Sequence, residues 1–494
     1  MLKRILSLII TLAATAAVVI APSLLPTPET TVGEAVTGLS QQVKAKDLTL
    51  VCPGAAVQSS SGNKVGSFSS IDTAAIDYAS QLPAGASLKT LKLVGATANI
   101  SALSDTNGGL GNFATSAAVA ITVADPKGVA TQNSTLLSAQ NYQVVSANGI
   151  NGAMAANCQR PAAEQWLLGA STAIGREALL VLANPNATDA TVNLQLFGAN
   201  GLIDGAGLNG IAVPANRTAI LPLAGFAPDN QLLAVQVVAQ GASVSSWVQQ
   251  KTVRGTLAGG ADFISPAADA ATQLVIPGLL KRGTKDASAL IASNSDYQDL
   301  TPALGIFVPG TQTATVTVQV IGTDAKTFGT VLQQNVEPGQ VAELPITGLK
   351  DGDYSVFVSS NQPVIAAVRL SRTLTAHATA GQNSTTDFAW LNAVAPGVQN
   401  RRLAVPNSGI SKLSVATTEA GAATVTITGN GPSQTLRIAK LTSSSVTLAP
   451  GSVVTVSSDA PVAATMVVDF NAMIVAVPVL DFENHGGSIR VAVR

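Results

Sequence analysis

The chain has 494 residues, with 27 Lys and Arg balanced by 28 Asp and Glu for a formal net charge of −1. Charged residues make up 11%, against about 25% in a typical soluble protein, and the missing basic surplus excludes nucleic acid as a partner. Polarity rests instead on Ser, Thr, Asn, Gln and Gly, and a chain of this length calls for three or four domains of about 100–150 residues.

Lys3 and Arg4 precede an apolar run from Ile5 to Ala21 that continues through Leu24 and Leu25. Basic residues ahead of such a run stay in the cytoplasm, so the remainder of the chain is expected outside. The run over residues 5–25 reaches the short end of the roughly 17–25 residues that span a bilayer and exceeds the roughly 7–15 of a signal-peptide core. No A-x-A cleavage site stands out. Residues 1–26 are therefore read as a membrane anchor, single-pass with an extracytoplasmic C-terminal region, with secretion after cleavage as the alternative; residues 27–47 are read as a linker. Cys52 and Cys158 show no C-x-x-C spacing, and in an oxidising compartment they are expected to pair as a disulfide.

Beyond the linker the chain repeats itself. Val358-Ser359-Ser360-Asn361-Gln362-Pro363-Val364 returns as Val456-Ser457-Ser458-Asp459-Ala460-Pro461-Val462, more loosely within Val235–Trp247, and faintly within Tyr142–Gly149. Each copy reads as a β-hairpin, with β-branched residues flanking a polar turn. An opener, Val51-Cys52-Pro53-Gly54, recurs as Val275-Ile276-Pro277-Gly278 and, with drift, as Val394-Ala395-Pro396-Gly397, with Trp166-Leu167-Leu168-Gly169 as its counterpart. These marks divide the chain into modules at 48–164, 165–273, 274–392 and 393–494, the first carrying the disulfide. In the second module Ala178–Ala183 reads as a buried strand stopped by Asn184-Pro185-Asn186, and Thr191–Phe197 alternates with period two. The third repeats this as Ala289–Ala292 and Ala314–Val320, and the fourth offers Ala423–Thr428. Thr73–Gln81 is read as a short helix, and Met473–Val479 and Ser488–Val493 as strands closing the last module. About seven short strands in about 100 residues predict an all-β chain of tandem immunoglobulin-like or fibronectin-like sandwiches. A β-propeller, with four-stranded blades of about 40–50 residues, is the alternative.

The exported N-terminus, the opener at 51–54, the Ala-Asn-Pro-Asn turn at 183–186, the Val-Pro-Ala-Asn turn at 213–216 and the Val-Ser-Ser-x-x-Pro-Val units together resemble an actinobacterial family of exported, membrane-anchored envelope proteins of unknown function. The resemblance covers most of the chain beyond the linker. It implies a location and an architecture and assigns no activity.

Chemistry-bearing motifs are sparse. His377 and His485 both fall in polar connections, and Asp481 and Glu483 beside His485 lack the backbone-oxygen spacing of a cation loop. Gly169-Ala170-Ser171-Thr172-Ala173 has Ala where a nucleophile elbow needs its last Gly. Asp351-Gly352-Asp353 reads as a type I′ hairpin turn, with calcium as the competing reading. Trp166, Trp247, Trp390 and Tyr354 are the aromatic residues on which sugars would stack, weighed against a place for Trp247 in the core and for Trp166 and Trp390 at module junctions. Sequons at Asn99, Asn133, Asn186, Asn216 and Asn383 are expected by chance in so Asn/Ser/Thr-rich a chain. The expectation is a non-enzymatic, membrane-anchored extracytoplasmic scaffold or interaction protein of the cell envelope, without catalytic, cofactor or metal residues. A glycan-binding or adhesive surface protein is the alternative, and the expected partners are the membrane, through residues 5–25, and an envelope protein or glycan.

Overall fold

Alternation of apolar and polar side chains along Ala190–Gly198 becomes a strand in which every second residue is buried, and the continuous apolar run in Arg176–Asn184 becomes one buried throughout its second half. In a computed structural model of the chain the described residues are 39–43, 47–59, 68–82, 86–94, 99–103, 110–124, 135–323, 328–375, 384–397, 400–429, 431–480, 483–484 and 487–491. They are almost entirely β, in many small sheets. Contacts group the chain into two units. One is Lys46–His485; the other joins Met1–Ala45 to Gly486–Arg494. In the latter, Leu39–Val43 pairs with Gly487–Val491, so a strand lies inside the expected linker, and the final strand pairs there instead of closing the last module.

In the larger unit one strand order occurs four times. Residues 164–264 show it completely: Glu164–Ala170, Leu233–Gln240, Ala190–Gly198 and Gly201–Ile203 form one sheet, and Arg217–Pro222, Arg176–Asn184, Ser245–Arg254 and Leu257–Ile264 form the other. Numbered along the chain as first to eighth, omitting the short Ile211–Val213, the sheets read 1-6-3-4 and 5-2-7-8. The strands of residues 48–157, 271–392 and 400–478 fall into the same two sheets in the same order. Neither sheet consists of four consecutive strands. The inner faces of the two sheets share one core, as where Ile276, Val318 and Val358 of one meet Ile306, Val368 and Leu391 of the other.

This order changes the meaning of the repeated unit. Val453–Ser458 and Ala463–Asp469 lie in different sheets, as do Leu233–Gln240 and Ser245–Arg254. The segments are arches from one sheet to its mate and not hairpins. In residues 271–392 the arch is a single strand, Gly352–Thr375: Tyr354–Ser360 pairs with Ala314–Gly322, and Ile365–Arg369 pairs with Ala303–Phe307. Pro363, which has no N–H to donate, falls where the strand leaves one sheet for the other. Tyr142–Gly149 does enter a true hairpin, turned by Asn148 (φ 55°) and Gly149 (φ 77°) between the seventh and eighth strands, so it is not equivalent to the other three.

Two local readings also change. Thr73–Gln81 is not helical: Ala74–Gln81 is a central strand paired on both sides, with Ile76 and Tyr78 in the core. Ala289–Ala292 is helical, inside Thr284–Ser293, and the strand expected there is Ala303–Phe307. The helix forms because Gly283 turns at φ 72° and Asp351 accepts from the Gly283 and Thr284 amides at 3.2 and 3.0 Å, supplying acceptors at a helix N-terminus.

The opener glycines are bulges. Register shifts between Leu168 and Ala170 and between Pro277 and Leu279, with Gly169 at φ 139° and Gly278 at φ 90°. The fourth set begins with Asn400–Ala404, which leaves Ala393–Gly397 in a connector.

The four sets close a ring. Met154 and Ile150 of the first pack with Trp247 and Phe263 of the second; Leu168 and Leu232 of the second pack with Phe307 and Trp390 of the third. Val467 and Ile474 of the fourth enter the core of the third, and Tyr142 and Ala155 of the first enter that of the fourth. Burial of apolar surface at every junction, at about 25 cal/mol per Å², makes the sets one body.

Candidate functional site

At the centre of the ring the eighth strands of the four sets converge: Ile150–Asn157, Leu257–Ile264, Ser384–Asn392 and Ile474–Pro478. Backbone pairing between them is replaced by two carboxylates. Asp387 Oδ2 accepts from the amides of Ala153 and Ile474, each at 3.0 Å, and Oδ1 accepts from Ala261 at 3.2 Å, one donor from each of the other three sets. Asp262 accepts from Trp390 at 2.9 Å and Ala155 at 3.4 Å. Asp387 fits because Gly152 and Gly260 stand against it: a Cβ at either would lie 2.6 Å from Oδ1. Both carboxylates are buried. Burial pushes Asp387 up to about 8, against the downward pull of the surrounding amides. Burial pushes Asp262 well above the usual carboxylate range, with Asp387 adding to it and the Trp390 amide opposing. These groups pin four strands through donors that would otherwise be orphaned in a dry interior.

Directly beyond this centre the connectors that follow the four eighth strands meet around a recess of about 560 Å³. Each brings a proline or its neighbourhood to the wall: Arg160 and Ala162, Pro266 to Ala270, Ala393 to Pro396, and Pro478 with Leu480. The lining is mostly small and apolar, with Arg160, Asp269 and Arg401 as its charged residues. Two buried asparagines tie the rim across sets. Asn157 Nδ2 donates to Pro478 O at 2.5 Å, and Asn392 Nδ2 donates to Ser265 O at 2.7 Å, while Asn392 Oδ1 is buried with no acceptor role filled. Size and lining are those of a ligand or peptide site.

Cys52 and Cys158 form the expected disulfide, with both residues fully buried in the core of the first set. Trp247 is core, donating Nε1–H to Asn157 O at 3.3 Å. Trp166 packs at a junction on Phe307 and Phe197, with ring centroids 5.0 and 5.8 Å away. Trp390 is buried over Gly169, and Tyr354 is buried with its hydroxyl donating to Lys350 O. Ser171 is buried, its amide bound to Gln250 Oε1. Neither Asp351 nor Gly352 has the positive φ of a type I′ turn; Asp351 serves the helix start, and Asp353 pairs with Arg282 at 2.6 Å and Lys412 at 2.5 Å. His377, His485, Asp481, the sequons Asn133 and Asn383, and the apolar run at 5–25 lie outside the described residues. Among the described residues no helix is long and apolar enough to cross a membrane.

Sequence reasoning passed over Asp262 and Asp387. A signal existed: Gly259-Gly260-Ala261-Asp262-Phe263 and Thr385-Thr386-Asp387-Phe388-Ala389 each place an acid before Phe within an apolar strand, where a charge is costly unless specifically held.

Fold and site thus define an all-β, disulfide-bonded protein whose core is a ring of paired sheets. The chain belongs to the family of unknown function DUF5719, whose model matches residues 112–459. No curated protein matches it. Among solved structures it is similar to a Thermotoga maritima protein, "Thermotoga maritima 1070", at 19% identity over 25% of this chain and 93% of that one, with a TM-score of 0.18. It is also similar to a biofilm-associated protein BSP domain at 10% identity over 89% of this chain and 96% of that one, with a TM-score of 0.12. At such TM-scores neither likeness bears on fold or function.

Proposed function

We propose that the chain is a non-enzymatic extracytoplasmic interaction protein of the actinobacterial cell envelope, anchored through residues 5–25 and seating a partner protein in the axial recess. The recess carries this reading: a mostly apolar concavity of about 560 Å³ whose walls come from all four connectors, on a body held rigid by buried carboxylates and apolar junctions. The buried disulfide supports an oxidising compartment. Domains at 48–164, 165–273, 274–392 and 393–494, the last without residues 486–494, which group with the N-terminal unit, are proposed as immunoglobulin-like sandwiches, and the 1-6-3-4 and 5-2-7-8 strand orders favour these over propeller blades, whose four strands are consecutive. A glycan-binding role finds no comparable support: Trp247, Trp390 and Tyr354 are buried, and the exposed large apolar residues among those described are aliphatic.

The test is a photo-crosslinking residue at Ala268 or Ala395 in the recess, with Leu202, outside it, as control, in cells carrying the full chain. A discrete protein adduct from the recess positions alone, in a membrane fraction resistant to alkaline extraction, is expected. Adducts equal at all three positions, or a chain released by alkali, would overturn the reading.

A further inference from the structure

The first and fourth sets meet with no connector of the chain between them, and a polar row lies at their junction. In the sheet of the first set, Asn112, Asp77, Gln140 and Asn157 stand side by side in register on neighbouring strands. Ile76 and Tyr78 belong to the core of that set, so alternation puts Asp77 and Ala79 on the opposite face, where Ala79 packs on Ala404 and Val453 of the fourth set. Tyr142, diagonal to Asp77 on that face, enters the core of the fourth. Asn112 is exposed, whereas Asp77, Gln140 and Asn157 are 6%, 2% and 3% exposed. The row therefore runs from solvent into the junction, and it ends at the recess, where Asn157 Nδ2 donates to Pro478 O.

Within the row, Gln140 Nε2 donates to Ser138 Oγ at 2.6 Å, while Gln140 Oε1 is buried with no donor. Asn157 Nδ2 is turned to Pro478 O. Asp77 stands directly opposite Gln140, at the roughly 5 Å Cβ separation of paired residues, and its carboxyl can supply the missing hydrogen only while protonated. Once ionised it sets acceptor against acceptor in a buried place, where an unpaired charge is costly. Among the described residues the charged or titratable groups that the packed strands bring to this face are Tyr142, Arg401 and Arg402. Arg401 donates to Val479 O, and Arg402 Nη1 donates to Ser80 O at 2.8 Å. Burial pushes Asp77 up to about 6, with no cation pulling it back. Burial and the nearby Asp77 hold Tyr142 well above its ordinary value, so the phenol stays neutral through this range.

We propose that Asp77 is a protonation latch on the first–fourth junction: with its carboxyl neutral the polar row is bonded and the ring closed, and with it ionised the fourth set parts from the first around Ala404. As a control on the recess, through Asn157 and Pro478, the latch rests on the partner-seating reading above; its test needs no partner and is decided separately. With Asp77 at about 6 in the closed junction and at an ordinary 3.8 in the open one, linkage makes opening about tenfold more frequent at pH 7 than at pH 5. The experiment uses the full chain carrying Ala404→Cys, its native cysteines being joined in the disulfide. The labelling rate of the buried thiol, relative to a free thiol at the same pH, reads the opening. It is expected to rise about tenfold from pH 5 to pH 7 and to level off above pH 6. Ala367→Cys, buried at the second–third junction, is the control and stays level. Asp77→Asn, which can donate to Gln140 and cannot ionise, flattens the Ala404→Cys profile. If Asp77→Asn does not fold, the shape of the parent profile decides, and Ala79→Cys, which faces Ala404, repeats the measurement from the other side. A flat parent profile, the same rise at Ala367→Cys, or a rise that survives Asp77→Asn would overturn the latch.

Discussion

Asp387→Ala and Asp387→Asn probe the centre of the ring most directly. Alanine leaves the amides of Ala153, Ala261 and Ile474 buried without acceptors, at about 1–3 kcal/mol each and so about 3–9 kcal/mol together. Asparagine retains one oxygen, which the structure invites toward Ala153 and Ile474, and turns its NH₂ on the Ala261 N–H, for a loss of about 1–3 kcal/mol. The pH dependence has a definite sign. Folded Asp387 titrates at about 8 and an ordinary aspartate at 3.8, so the folded chain keeps a proton that the unfolded chain releases between these values. Its contribution is fully present below the unfolded pKa and is lost as pH rises through the folded one. Asp77, raised to about 6 by burial, acts in the same direction over a narrower window. Denaturant unfolding of wild type and both variants at pH 5 and pH 9 is the assay. Wild type is expected to be less stable at pH 9 than at pH 5, and Asp387→Asn to lose part of that difference, with Asp262, which burial also raises, keeping the rest. If Asp387→Ala matched Asp387→Asn within about 0.5 kcal/mol at pH 5, or if the asparagine variant kept the full pH difference, the amide cradle would not be holding the ring.

Three further outcomes are expected. The Cys52→Ser, Cys158→Ser double variant loses on the order of 4–5 kcal/mol by the chain-entropy estimate for so long a loop, read as a lower denaturant midpoint that matches reduced wild type; an unchanged midpoint would contradict the role given to the bond. Gly169→Ala and Gly278→Ala both place an alanine at a positive φ, 139° and 90°, at a backbone cost of about 1–3 kcal/mol each; the first also sets a Cβ 2.8 Å from the rigid Trp390 ring and the second 2.9 Å from a movable Val467 methyl, so Gly169→Ala is expected to have the lower midpoint, and equal midpoints for the two would refute this. For Asp353 burial alone would raise the pKa, but hydrogen bonds from Lys412 and Arg282 hold it below the ordinary value, so its contribution is present above the unfolded pKa and lost as pH falls. Asp353→Asn is thus expected to cost about 1.5–3 kcal/mol at pH 7 and little at pH 2.5, with equal losses at both ruling out the ion pair as the cause.

Much of the architecture was legible because strand patterning is local. Thr191–Phe197 alternates in the sequence and alternates in burial, and Trp247 stands in its repeat where Val368 and Met466 stand in theirs, all three in the core. Local patterning failed where partners from elsewhere decided the outcome. Ala289–Ala292 looks like a short buried strand, yet Asp351, distant in sequence, supplies the acceptors that let residues 284–293 become a helix. Thr73–Gln81 has a helical look, yet neighbours on both sides make Ala74–Gln81 a central strand.

By itself the sequence determined that the chain is β-rich, internally repeated, apolar at its N-terminus and supplied with two cysteines able to pair, since composition, periodicity and repetition are properties of the string. Only the tertiary structure decided that the repeated Val-Ser-Ser-x-x-Pro-Val segments cross between sheets, because strand–turn–strand reads alike whether the second strand pairs with the first or with a strand from another part of the chain. It also decided that four sheet sets close on one another, and so that Asp262 and Asp387 meet amides from other sets and four connectors surround one recess. Those contacts join residues more than 80 positions apart, and no window along the chain contains both partners.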